Sequence, residues 1–400
     1  MGTVDEVWIT GLGAVTAAGA GASRLGEALA GRVSRAGPDP TLGCLWVARA
    51  PDPEVGRAAR RLDRSGQLLL AAAREAWADA GLTGADPDRG RVGVIEGTSV
   101  GPLAEVLATE RQRARAEHHS PPRADYLLRM MFGAGGAVFA QEIGAHGPVY
   151  AVSAGSVSGL VAIEEGYWKI LQGLADVIVA GGAECPLDPE IIEVFDAARI
   201  LAPQRSSGLP CRPFDRDRSG TLLGEGSGML VLESAAHAGR RGARPRAVLA
   251  GVGCSCESYS MVLPDPSGAG VAEAVRQALR GTDPHQLGWI KAHGTGTRRN
   301  DIAECRGLEA ALDGGLARVP ITSLKPLLGH CLGASGSVEA VATVVALERG
   351  VVPPTLGTET VDPELPACHV ALTPMEAKGS AVLLLSESFG GRCAAITVRH

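Results

Sequence analysis

The chain has 400 residues, of which 45% are hydrophobic and 20% charged, a balance that suits one large domain or two fused halves and excludes a disordered polypeptide. A formal net charge of −6 leaves no bulk basic character to recruit nucleic acid, and no run of about 18 apolar residues marks a membrane span. Residues 1–10 lack a secretory signal pattern, so the nine scattered cysteines read as reduced cytoplasmic thiols.

The first strand is Val7-Trp8-Ile9-Thr10, ending in the glycine turn Gly11-Leu12-Gly13. A short helix is expected over 23–29, and a Pro-, Gly- and Asp-rich connection over 36–55. The spacing of Leu68, Leu69, Ala72, Ala76 and Ala80 predicts a one-faced helix over 65–80, closed by Gly81. A buried strand follows over 91–96. Residues 102–127 are charged, and Arg111, Arg113, Arg115, Glu117, His118 and His119 form a solvated run or a docking face for an acidic partner. A small-residue helix is expected over 130–144.

Val149-Tyr150-Ala151-Val152 then reads as a short buried strand, and Ser153-Ala154-Gly155 as a tight turn. Ser156 opens a helical pattern that runs to about Leu171. This arrangement lifts one side chain onto the positive end of a helix dipole. Ser156 is thus a candidate nucleophile, one that needs a neighbouring base.

Further on come a buried strand over 175–182, a polar loop over 211–220 and the glycine run Gly224-Glu225-Gly226-Ser227-Gly228 before a strand over 229–233. That run lacks the strand-to-helix context of a dinucleotide site. The pattern restarts near Ala247, which divides the chain into halves 1–246 and 247–400, with the joint in 239–242. Strand–helix alternation with buried strands means an α/β fold. Cys254 and Cys256 have no second pair at zinc spacing, so no metal site is expected there.

Two histidines stand in small-residue settings that leave an imidazole accessible to a ligand. One is Ala292-His293-Gly294-Thr295-Gly296-Thr297, with Asn300, Asp301 and Glu304 following, and the other is Gly329-His330-Cys331-Leu332-Gly333-Ala334-Ser335-Gly336. They are the evident bases for Ser156. The loop Ser386-Glu387-Ser388-Phe389-Gly390-Gly391 follows an apolar strand, and its glycine amides suit an oxyanion site. Cys331, beside His330, reads as a buried thiol.

Together these blocks resemble the β-ketoacyl synthases of fatty-acid and type II polyketide synthesis, members of the thiolase-like superfamily, over nearly the whole chain from Val7 to Val398. The matching segments also include Ala180-Gly181-Gly182-Ala183-Glu184, Pro213-Phe214-Asp215 and Lys325. The resemblance implies a five-layer αβαβα fold of two duplicated halves, dimeric as a homodimer or as a heterodimer with a ketosynthase. It implies an acyl group carried on the phosphopantetheine of an acyl carrier protein, with no further cofactor. It casts His293 and His330 as the pair that polarises the thioester carbonyl, Lys325 as their support and Glu304 as an acidic residue behind them. The amides of Ser156 and Phe389 become the oxyanion hole, Phe389 a gate, and Gly390, Thr295 and Thr297 part of the substrate site. Arg111, Arg113 and Arg115 are docking candidates for the acidic carrier.

The sequence also departs from the family pattern. Ser156 stands where the family has its nucleophilic cysteine, Glu387 and Ser388 where it has phenylalanine and glycine, and Leu385 where it has asparagine. A helix dipole worth about 0.3–2 kcal/mol lowers a thiol towards a thiolate but does not ionise a hydroxyl near neutral pH. Three functions follow: an acyltransferase or slow synthase acting through Ser156, a non-condensing chain-length-factor subunit, and a malonyl-thioester decarboxylase.

Overall fold

The structure, a computed structural model, describes residues 6–115, 124–203 and 208–400. His118 and His119 of the charged run lie outside the described residues. Eleven of the strands are β1 (Val7–Thr16), β2 (Val92–Gly97), β3 (Val149–Val152), β4 (Val177–Glu184), β5 (Gly226–Ser234), β6 (Ala247–Cys256), β7 (Leu287–Lys291), β8 (Pro320–Thr322), β9 (His369–Val370), β10 (Ala381–Ser388) and β11 (Arg392–Arg399). With Gly19–Ala20 folded back on β1, they make a 12-stranded mixed sheet in the order β9-β8-β7-β10-β11-β6-β1-β5-β4-β2-β3.

That order is a duplication. In the first half β1–β5 and β5–β4 are antiparallel, and β4–β2 and β2–β3 parallel. In the second half β6–β11 and β11–β10 are antiparallel, and β10–β7 and β7–β8 parallel. The halves join by antiparallel pairing of β1 with β6, Val7 opposite Leu249 and Ile9 opposite Ala247.

Seven of the helices are α1 (Arg64–Asp79), α2 (Leu103–Arg115), α3 (Ala134–Ile143), α4 (Ser158–Leu171), α5 (Ala269–Ala278), α6 (Arg298–Ala311) and α7 (Ser335–Glu348). α1 and α3 cover the outer face of the first half, and α5, with α6 against it, covers that of the second. α4 and α7 lie between the half-sheets and touch strands of both, which completes the five layers. α7 is buried from Ser335 to Leu347, as a helix apolar on every side requires. Three large apolar clusters fill the spaces between the layers, one around the central helices and one under each outer helix layer.

Most expected elements form, with boundaries shifted by their caps. α1 begins at Arg64 because the Asp63 carboxylate accepts the amides of Ser65 and Gly66. The helix expected over 130–144 is broken: Tyr126–Met130 is separate from α3, and Gly133 between them has φ 83°. The irregular stretch 36–55 contains a small hairpin, Gly37–Asp39 with Leu45–Val47. The strand expected over 229–233 begins earlier, since β5 takes in the end of the glycine run at Gly226. β3 is not buried. It is the edge of the sheet, with Val149 exposed and its other residues half-buried, so its apolar run faces outward. Among the described residues no helix is long and apolar enough to cross a membrane, and no disulfide joins any of the nine cysteines.

Candidate active site

Parallel strands in both halves end towards one region, and the loops at those ends carry the chemistry, as in other open α/β sheets. From the first half comes the turn between β3 and α4. Gly155 there has φ 69°, and a Cβ on it would lie 2.0 Å from Ser388 Oγ, so only glycine fits. The Ser158 hydroxyl accepts the Ala154 N–H at 2.9 Å and lies 2.6 Å from the Gly155 carbonyl, which pins the turn from inside. Ser156 is thereby held two residues before α4.

Ser156 Oγ lies 3.2 Å from His330 Nε2, and His330 Nδ1 lies 2.8 Å from Ser335 Oγ. His330 is fixed through its backbone as well. Its amide donates to the Leu222 carbonyl at 2.8 Å, and its carbonyl accepts the Gly224 amide at 3.0 Å. This is the role of the glycine run at 224: a Cβ on Gly224 would sit 2.5 Å from the Leu328 carbonyl oxygen.

His293 follows β7, its ring 5.4 Å from that of His330 and nearly perpendicular to it. Lys325 Nζ donates to the His293 carbonyl at 2.5 Å and to Glu339 at 3.1 Å, and lies 3.3 Å from His293 Nδ1. An ammonium there makes Nδ1 the acceptor and leaves the ring proton on Nε2. Burial, reinforced by Lys325, holds both imidazoles well below the ordinary value of 6.5, so both are neutral at pH 7. Glu304 accepts the His293 and Gly294 amides at 2.5 and 2.8 Å. Burial pushes its carboxyl up to about 7. Its contacts are to backbone, so it holds the histidine loop in place and touches no reacting atom.

The remaining sequence-derived residues divide. Thr295 and Thr297 hydroxyls are 2.9 Å apart, and Thr295 also reaches Asp301 at 3.4 Å. Asp301 accepts the Phe214 amide at 2.8 Å and lies 3.4 Å from Arg218, which anchors the 211–220 loop on the histidine loop. Phe389 is 48% exposed beside the equally exposed apolar run Tyr259, Met261, Val262 and Leu263. Cys331 is buried, with Sγ 3.8 Å from the Leu328 carbonyl, and burial pushes its thiol up.

One expectation is corrected. The Gly390 amide does not face an oxyanion position, because it donates to the Met261 carbonyl at 2.8 Å. Two of the docking candidates already have acidic neighbours: Arg111 grips Asp188 at 2.6 Å as well as Glu190, and Arg113 pairs with Glu110 at 2.6 Å. Three residues escaped the sequence reading. Ser335 backs His330, and Glu339 bridges Lys325 and Lys291. Ser388 accepts the Ser156 N–H at 2.8 Å. Only Ser388 carried a signal, as a departure from an expected glycine.

A side chain raised before a buried helix, faced by two neutral histidines at the junction of duplicated half-sheets, defines a thiolase-like ketosynthase scaffold. The chain belongs to the β-ketoacyl synthase family: residues 4–238 match its N-terminal domain and residues 246–359 its C-terminal domain. It is 36% identical to the actinorhodin polyketide putative β-ketoacyl synthase 1 of Streptomyces coelicolor, over all of this chain and 89% of that one. It is similar in structure to a type II polyketide ketosynthase solved with its acyl carrier protein and bound to the hexaketide, with TM-score 0.91, 28% identity and 98% of each chain covered. The ishigamide ketosynthase/chain length factor gives TM-score 0.90 at 29% identity, again over 98% of each chain.

Proposed function

We propose that the chain is a ketosynthase-like acyltransferase of polyketide or fatty-acid synthesis, which takes an acyl group from an acyl carrier protein thioester onto Ser156. The observation that carries this reading is the Ser156–His330–Ser335 chain of contacts. With Nδ1–H donated to Ser335, the neutral His330 Nε2 accepts the Ser156 proton as Oγ attacks the thioester carbonyl. The C–S bond breaks, the phosphopantetheine thiolate leaves and takes that proton from His330, and an ester remains on Ser156. His293, with its ring proton on Nε2 and its ring beside that of His330, donates to a carbonyl and does not act as an acid. Hydrolysis, or transfer to an alcohol or amine, then regenerates the serine, and condensation with an extender is slower because an ester is less activated than a thioester.

The solved neighbours support an acyl carrier protein and a second ketosynthase-type chain as partners. The unpaired edge β3 is a suitable face for that second chain. Exposed Phe132 and Met131 lie beside it, where Gly133 meets Ala151.

One observation favours a second reading, the non-condensing chain-length-factor type: Ser388 occupies the Ser156 amide that an acylated centre needs. Incubation of the purified chain with acyl thioesters, followed by intact mass, separates the two. An acyl adduct lost in Ser156→Ala supports the transferase. No adduct, together with stable co-purification of a cysteine-bearing ketosynthase, supports the non-condensing subunit.

A further inference from the structure

Glu387 is the penultimate residue of β10, one before the serine that meets the Ser156 amide. It is 5% exposed, and its Oε1 is buried without a hydrogen-bond partner. Glu257, one residue past β6, has its Oε1 in the same condition, while its other oxygen accepts the Asp265 amide at 2.9 Å. Cys393 is 2% exposed on β11, the strand between them, where register sets it opposite both Glu387 and Ser255. One carboxylate oxygen from each glutamate and Cys393 Sγ all lie within 4.8 Å of one another.

Three acidic groups, from β10, β11 and the residue just past β6, thus converge on one point, and each of the two glutamates carries a buried oxygen with no partner. A buried unpartnered carboxyl is costly, and each neighbour here adds to the cost. Burial pushes the Cys393 thiol and both carboxyls upward, and the surrounding acids push in the same direction. A polypeptide evolved only for packing has a simpler solution at position 387, the phenylalanine that the family resemblance implies.

We infer that Glu257, Glu387 and Cys393 form a binding site for a divalent transition cation of the zinc class. Zinc takes carboxylate oxygen at about 2.0–2.2 Å and thiolate sulfur at about 2.3 Å, so ligand atoms this close converge on one ion after small side-chain rotations. A thiolate with two carboxylates selects zinc or cobalt over magnesium or calcium, and three protein ligands leave a fourth position for water. Binding releases the protons the ligands hold, and the ion gives both buried carboxylates a counter-charge.

The site ties β6, β10 and β11 together directly behind the loop that carries Ser388 and Phe389. That loop is already attached to the 257–261 segment, through Glu257 N–H to the Gly391 carbonyl at 2.7 Å and Gly390 N–H to the Met261 carbonyl at 2.8 Å. A bound cation fixes Glu387 and, through the next residue, keeps Ser388 on the Ser156 amide. Metal occupancy therefore holds the acyl centre closed.

The test uses the full chain, stripped with a chelator and titrated with Co(II). Expected are one cobalt per chain, a sulfur-to-cobalt charge-transfer absorption, and displacement of both by Zn(II). Cys393→Ser removes the absorption, whereas Cys256→Ser, which alters the nearby exposed thiol, retains it. Glu387→Phe, which restores the expected apolar residue, weakens binding by more than about tenfold, the low end of what even an outer-shell change costs. Stoichiometric binding that is absent, that survives Glu387→Phe unchanged, or whose absorption follows Cys256 instead of Cys393 overturns the assignment.

Discussion

The Ser156 amide donates a 2.8 Å hydrogen bond to Ser388 Oγ, so a hydroxyl from the glycine loop occupies the N–H nearest the nucleophile. The same amide is the one the family resemblance assigns to the oxyanion hole. Nucleophile and loop are thus 232 positions apart in sequence and joined by one bond, which makes the loop the natural control point of the centre.

Ser388→Gly should therefore accelerate acylation of Ser156. A single oxyanion donor is worth about 10²–10³ in rate, and the mutation returns one to the substrate. A gain of roughly tenfold or more is expected. The cost in stability is about 0.5–1 kcal/mol for a glycine at the end of a strand. Intact-mass time courses with an acyl thioester measure the rate, and an unchanged rate would mean that this amide does not limit acylation.

His330 and Ser335 give a graded series. His330→Gln removes the base and should slow acylation by about 10²–10⁴-fold. Ser335→Ala leaves the base but frees its ring, and should cost less. The pH profile follows from the depressed pKa. The active form of His330 is the neutral one, and its pKa in the folded protein lies well below 6.5, so protonation sets in only at lower pH. Acylation should stay flat as pH falls through 6.5 and drop only well below it. An inflection at 6.5 or above would show that the ring is solvated and the Ser335 contact absent. The same sign governs stability: a histidine kept neutral in the fold destabilises the protein as pH falls below its unfolded value, because the unfolded chain binds the proton first.

Much of this architecture was legible from the chain alone. Runs such as Val177–Ala180 are apolar without alternation because both faces of the strand are covered, and that pattern is visible in sequence. The histidine loops were legible because glycine and threonine beside a strand end have few other uses. β3 was misread for a physical reason: an edge strand whose residues are half-buried can have the apolar composition of a buried one. Glu339 and Ser388 were hidden because each acts across a large sequence separation, and Ser335, only five residues from His330, because a serine in a small-residue run has no distinguishing pattern. No local pattern reports that Glu339 of α7 lies between Lys291 at the end of β7 and Lys325.

Ser156→Cys tests whether the nucleophile alone departs from a condensing centre. A thiol at a helix N-terminus near a histidine ionises far more readily than a hydroxyl, so the variant should load acyl groups faster than the parent chain. Loading is not condensation. With Ser388 still on the residue-156 amide, condensation should remain weak, and Ser156→Cys combined with Ser388→Gly should exceed the product of the two single effects, since both changes act on one tetrahedral intermediate. Radiolabelled extender incorporation measures this. Additive behaviour would mean that the loop and the nucleophile act in different steps.

Glu339 offers a stability prediction that is independent of chemistry. It is 3% exposed on α7 and contacts two ammonium groups, Lys291 Nζ and Lys325 Nζ, the latter at 3.1 Å. Lys291 has one further acceptor, the Leu385 carbonyl at 2.9 Å, and Lys325 has two, the His293 carbonyl at 2.5 Å and His293 Nδ1 at 3.3 Å. Carbonyl dipoles compensate only part of a buried charge. Glu339→Gln keeps the shape and removes the counter-charge for both lysines, so the loss should be about 3–5 kcal/mol, as when one partner of a buried pair is removed. Denaturant unfolding of the two proteins measures it. Glu339→Gln with Lys291→Met should recover part of the loss, because one of the stranded charges is gone and the other keeps its carbonyl. A loss of under about 1 kcal/mol in the single variant would show that the lysines are neutral or hydrated, and would remove the basis for placing the His293 ring proton on Nε2 through a charged Lys325.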